Sequence, residues 1–156
     1  MSLKRILIED IYKNKKIPLA GGFYYITGEI IIMRDTAHKR FIQNNEKIID
    51  FNNKAIFYAG PLRSGILGPT TSSRMDPFTL WFAKERGVRL FIGKGKRDES
   101  LVKILRNMGV YCASVPGGIS SYLSKNIQTP ESILYKELGC ESIFVSKVRH
   151  ILVQFL

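Results

Sequence analysis

Residues 88–115 read VRLFIGKGKRDESLVKILRNMGVYCASV, and the reading of this stretch decides the fold. It opens with one short apolar run, VRLFIG (88–93), and closes with another, VYCASV (110–115). Both have the length and composition of buried strands. Between them, DESLVKILRNMG (98–109) sets Leu101, Ile104, Leu105 and Met108 on one face at helical spacing. Gly109 stands where a helix C-terminal glycine belongs, as Gly87 does for the segment before. A strand, a helix and a second strand in so short a span form a crossover unit, which joins parallel strands.

The alternation extends in both directions. GEIIIM (28–33) reads as a strand and DTAHKRFIQNN (35–45) as a helix. KAIFYAG (54–60) is a further strand, and a Gly/Pro-rich loop leads from it to the helix PFTLWFAKERG (77–87). After PGG, ISSYLSKNI (119–127) reads as helical. Towards the ends, GGFYYITGEI (21–30) suggests an antiparallel or barrel-like portion, and ESIFVSKVRHILVQFL (141–156) suggests one or two late strands. The predicted class is α/β: a mainly parallel sheet with crossover helices and a barrel-like antiparallel portion. The expectation is a single domain over residues 1–156, with the segment 1–16 unassigned.

In an open parallel sheet, the loops after the strands' C-terminal ends converge on one crevice, and ligands bind there. The cations fall in those loops. Arg34, His38, Lys39 and Arg40 follow the first strand. Arg63 and then GPTTSSRMDPF (68–78), with Arg74, follow the second, and Lys94, Lys96 and Arg97 follow the third. Helix N-termini with free N–H groups join them, so the crevice is suited to anions. Two phosphate motifs fail here. GVRLFIGKG places five residues between its first two glycines and has Gly95 where a P-loop needs Ser or Thr. GKGKRD lacks the third glycine of a dinucleotide loop.

Lys and Arg number 24 against 13 Asp and Glu, a formal charge of +11, which admits nucleic acid, small anions or a larger assembly as partner. Phe57, Tyr58, Phe91 and Tyr111 lie within apolar runs instead of alternating with basic residues, which argues against a nucleic-acid surface. The apolar stretches are too short to span a bilayer, and Glu9 and Asp10 interrupt the first too early for a signal peptide. The expectation is a cytoplasmic protein with no membrane partner. Cys112 and Cys140 form no CxxC pair and are expected as reduced, buried thiols, with no metal held by this chain.

RDTAHKR (34–40), YAGP (58–61), GPTTSSRMDPF (68–78), IGKG (92–95) and PGGISSYLSKNI (116–127) occur in that order. In these blocks the chain, from about Ile17 onward, resembles the β subunit, or C-terminal domain, of the class I fumarase and L(+)-tartrate dehydratase family of iron–sulfur hydro-lyases. The combination of RDxAHK with GPTTSxRMD is the specific part. The resemblance implies a swivelling β/β/α domain. It also implies an α subunit that carries a four-iron four-sulfur cluster, with the active site between the two parts. The cluster's open iron would act as Lewis acid on the hydroxyl lost or gained.

The resemblance also assigns residues. Arg34, Thr70, Arg74 and Lys94 match positions used at the substrate. Arginine forks suit the two carboxylates of a dicarboxylic acid. Lys94 suits charge that develops during reaction. Thr70 is implied in proton transfer, for which its hydroxyl would need activation by Lys94 or a partner group. Thr70 and Lys94 are thus the expected catalytic residues, and Arg34, Arg74, Thr71 and His38 the expected substrate-binding ones. Asp35 and Asp76 read as helix N-caps, and Arg63, Lys96 and Arg97 as solvated surface charge. The expected function is the β subunit of a hydro-lyase acting on a hydroxy-dicarboxylic acid, in the fumarate–malate reaction. The alternatives are L(+)-tartrate dehydration and, from another class, a stand-alone basic domain binding nucleic acid or phosphorylated ligands.

Overall fold

Ile30 and Ile32 pack into one apolar cluster while Ile31 packs into another, so a single strand separates two cores. That alternation, with a period of two, recurs along the sheet. Ala55, Phe57, Leu90, Ile92, Tyr111 and Ala113 join the first cluster, and Ile56, Phe91 and Cys112 join the second. The computed structural model describes residues 4–61, 67–116 and 125–156.

The chain begins with β1 (Lys4–Leu7) and the short α1 (Ile8–Tyr12), then β2 (Phe23–Ile32), α2 (Asp35–Asn44) and β3 (Lys54–Phe57). A small antiparallel pair, β4 (Ala59–Pro61) and β5 (Leu67–Pro69), precedes a 3-10 turn at Ser72–Met75 and α3 (Asp76–Arg86). Then come β6 (Leu90–Lys94), α4 (Glu99–Asn107) and β7 (Tyr111–Val115). β8 (Glu131–Leu134), a 3-10 segment at Lys136–Glu141 and β9 (Ile143–Phe155) complete the described chain.

The main sheet runs β1-β2-β3-β6-β7-β9-β8. The first four neighbouring pairs are parallel, and the pairs made by β9 are antiparallel. The 13-residue β9 pairs with β2 along most of its length and with β7 at its end, through Ala113↔Phe155 and Ser114↔Gln154. The sheet therefore curls into a partial barrel around the first apolar cluster. The helices α2, α3 and α4 cover the other face, where the second cluster lies: Phe41, Phe82 and Leu105 are fully buried there.

The late segment is thus one strand, with β2 along one side and β7 and β8 on the other. A register shift near Gly28 interrupts its pairing with β2. The unassigned N-terminal segment forms β1 and α1, whose Ile6, Ile8 and Ile11 enter the barrel core. Gly87 ends α3 in the left-handed conformation at φ 67°. Most of the helix read at 119–127, and Arg63, lie outside the described residues. No helix among the described residues is long and apolar enough to cross a membrane.

Candidate active site

The loop GPTTSSRMD docks across the C-terminal ends of β3 and β6. Thr70 N donates to the Tyr58 carbonyl (2.7 Å), and Lys94 N donates to the Thr70 carbonyl (3.0 Å). Thr71 forms a parallel bridge with Lys94. Thr70 and Lys94, far apart in sequence, are therefore hydrogen-bonded neighbours. Close approach is possible because residue 93 is glycine: a Cβ there would lie 2.2 Å from Ser72 Oγ and 2.7 Å from Tyr58 Cδ2. Thr70 and Ser72 are buried in the joint, whereas Lys94 and Arg74 are exposed.

The second group gathers at the start of α2. Arg34 precedes the first helical residue, with extended backbone and no side-chain cap. Its Nε lies 3.7 Å from Glu141 Oε1, and Thr36 also donates to Glu141. Gly60 leaves room for the guanidinium, since a Cβ there would lie 2.7 Å from Arg34 Cδ. Asp35, the first residue of the helix, accepts a charge-assisted hydrogen bond from Arg74 Nη2. Arg74 is so tied beside Arg34.

His38 is completely buried among the rings of Tyr58, Phe78 and Phe82. Its Nδ1 donates to the Arg34 carbonyl at 2.7 Å, which fixes the tautomer. Desolvation pushes its pKa down to about 4, outweighing the Arg34 carbonyl's opposite effect, so the ring is neutral near pH 7. This burial puts His38 behind Arg34 as a support, not on an open surface where a ligand carboxylate could reach it.

Three readings of the sequence need correction. Asp35 and Asp76 are first helical residues, not N-caps: the capping positions are Arg34 and Met75, neither with a side-chain cap. Their carboxylates instead meet arginines brought in by the fold, Arg74 and Arg97. Arg97 is no surface charge but is 7% exposed, inside a polar network. Cys140 is exposed, while Cys112 is buried with its Sγ 3.5 Å from Arg97 Nη1. Among the described residues, no three His, Cys, Asp or Glu side chains gather as a metal set would. The two cysteines so placed do not fit the ligand set of an iron–sulfur cluster. Glu141 at Arg34 carried no local signal, since it sits 105 positions beyond Thr36.

A hydroxyl-rich loop, an exposed lysine and two arginines thus gather at the strand ends of an α/β sheet, a set of groups with the chemistry to take an anion. The chain belongs to the Fumarase C-terminus family, whose model matches residues 7–156. It is 32% identical to the L(+)-tartrate dehydratase subunit beta of Escherichia coli (strain K12) over 139 residues, 83% of this chain and 69% of that protein. The Shigella sonnei (strain Ss046) protein of the same name is 33% identical over 135 residues, 80% of this chain and 67% of its own. Fumarate hydratase 1, mitochondrial, of Leishmania major is 32% identical over a 161-position alignment that covers 96% of this chain and 29% of that protein.

Proposed function

We infer that this chain is the β part of an iron–sulfur hydro-lyase: a swivelling domain that closes on a hydroxy-dicarboxylic acid at a site shared with an α subunit. The observation that carries the reading is the joint between GPTTSSRMD and the end of β6, which makes Thr70 and Lys94 neighbours, with Arg74 tied beside Arg34. These are the blocks in which the family resemblance lies. The cluster belongs to the partner, where it would supply Lewis-acid chemistry at the hydroxyl.

This chain's own residues bind, orient and stabilise charge. The forks of Arg34 and Arg74 each take one carboxylate in planar, two-point contact. Each fork has an acidic neighbour: Asp35 accepts a hydrogen bond from that of Arg74, and Glu141 lies 3.7 Å from that of Arg34. The Lys94 ammonium faces the carbon that becomes electron-rich as the hydroxyl leaves. Thr70, fixed through both its backbone N–H and its carbonyl, presents its hydroxyl at a set position. It orients the substrate and hands on a proton only when Lys94 or a partner group activates it.

The reaction is fumarate hydration to malate. L(+)-tartrate dehydration is the second reading, favoured by the relatives of that name. The test is anaerobic co-purification with the iron–sulfur α subunit, followed by assays of both substrates. Turnover of either one by the complex, with neither part active alone, is the expected outcome. Turnover of neither, together with single-strand nucleic-acid binding by this chain that collapses steeply with salt, would replace this reading with the basic-domain alternative.

A further inference from the structure

Arg97 begins where the candidate site ends, three positions after Lys94, and turns its side chain inward. Its guanidinium lies under the rings of Tyr58 and Phe91, 5.2 Å and 5.9 Å from their centroids. Nε donates to Asp76 Oδ1 at 2.7 Å, Nη1 to the Tyr58 hydroxyl at 3.1 Å, and Nη2 to Thr79 Oγ1. A charge buried so deeply is expensive unless its donors are met, and an apolar side chain of similar volume would fill the space at less cost. Packing alone therefore does not account for an arginine here.

Beside Cys112, whose Sγ lies 3.5 Å from Nη1, Arg97 has three oxygen partners, and each of these three residues ties part of the site loops with its other polar atoms. The Tyr58 carbonyl accepts from Thr70 N. The Thr79 hydroxyl donates to the carbonyl of Met75, the last residue of the turn that carries Arg74. Asp76, directly after that turn, accepts from Asp98 N through its second oxygen (3.2 Å), and Asp98 caps α4 through Leu101 N. One guanidinium thus ties the loop after β6 to the start of α3 and to the strand end under Thr70.

We propose that Arg97 is a positioning residue: it clamps the two site loops together and thereby sets Lys94 against Thr70 and Arg74. The clamp acts on the site of the proposed function and rests on that reading for its catalytic consequence. It requires no contact with substrate. Lysine cannot replace it, because one ammonium cannot span Asp76, Tyr58 and Thr79 in the plane that the guanidinium fills.

Amide hydrogen exchange on the full chain tests the clamp without relying on activity. In Arg97→Met, exchange at the Thr70 and Lys94 amides should rise at least tenfold relative to amides of β2 and β9. An equal rise everywhere would make Arg97 a general stabiliser, and no rise would remove its role; either result overturns the proposal. Should Arg97→Met fail to fold, Asp76→Asn keeps the shape, weakens the same clamp and is read the same way. In the complex with the α subunit, both variants should lose at least tenfold in kcat/KM. If the wild-type complex turns over neither substrate, the proposed function fails, while the exchange pattern still decides the clamp.

Discussion

Arg74 and Asp35, 39 positions apart, form a charge-assisted hydrogen bond that brings the arginine of one motif beside the arginine of another. Burial pushes the Asp35 carboxyl up, but the hydrogen bond and charge of Arg74, with the charge of Arg34, outweigh it. The group is held below the usual carboxylate range and stays ionised. Its charge offsets the repulsion between the two guanidinium groups that act on it.

Arg74→Lys separates binding from stability. The Arg74 side chain is 52% exposed and that of Asp35 32%, so their pair contributes at most about 1 kcal/mol to folding. Lysine keeps the charge and loses the planar contact. The complex should lose at least about tenfold in kcat/KM, roughly 1.4 kcal/mol, with Tm nearly unchanged. Full activity in the variant would remove Arg74 from the site.

Lys94→Met should lower kcat more than it raises KM, because a charge matters most where charge develops. The exposed side chain leaves the fold intact, since its loop contacts run through the backbone. Unchanged kcat with raised KM would make Lys94 a ground-state anchor.

His38 gives a pH signature. Its pKa is about 4 in the folded chain against 6.5 ordinarily, so the unfolded chain takes up a proton first as pH falls. The stability it confers is complete above pH 6.5 and is lost progressively as pH falls toward 4. The total is roughly 3 kcal/mol. Urea midpoints between pH 7 and pH 4 should show this slope, and His38→Phe should flatten it. An unaltered slope in the variant would assign the proton to another group.

The crossover units were legible because amphipathic helices and short apolar strands have periods that a local window reveals. The strand at 88–93 is found as Leu90–Lys94, and the helix at 98–109 as Glu99–Asn107. The double pairing of β9 was not legible, since which strand lies on each side is a property of the closed sheet. Arg97 was misread for a related reason: its partners Asp76 and Tyr58 are 21 and 39 positions away, and a solvated arginine has the same local sequence. Asp35 and Asp76 have the local sequence of caps, but arginines from distant loops claim their carboxylates. The family blocks contain both sides of the Thr70–Lys94 joint; they did not indicate that His38 would be buried or that Glu141 would stand at Arg34.

The cysteines predict a colourless chain. Cys112 is sealed beside Arg97 and Cys140 is a single surface thiol, and neither is expected among the ligands of the partner's cluster. A Cys112→Ala/Cys140→Ser double variant, combined with the α subunit, should retain the full cluster absorbance. Its loss would bring one of these thiols into the cluster's ligand set.

Gly93 is a tight point of the joint between the loop and β6. Its neighbours Ile92 and Lys94 have ordinary strand surroundings, and the glycine has no left-handed φ, so alanine is compatible with the backbone. The difficulty is space, because the new methyl would meet Ser72 Oγ at 2.2 Å and Tyr58 Cδ2 at 2.7 Å. Overpacking of this kind costs about 1–3 kcal/mol. The cheapest relief is to lift the loop, since Ser72 belongs to a short turn and Tyr58 to the core. Lifting would break the bond from Lys94 N to the Thr70 carbonyl. Gly93→Ala should therefore lower kcat/KM of the complex by more than tenfold for a modest loss of Tm. Adding Ser72→Ala removes the closest clash and leaves that with Tyr58, so it should restore part of the activity. A fall in Tm large enough to account for the whole loss, with no recovery in the double variant, would show that the methyl disrupts the core and not the joint.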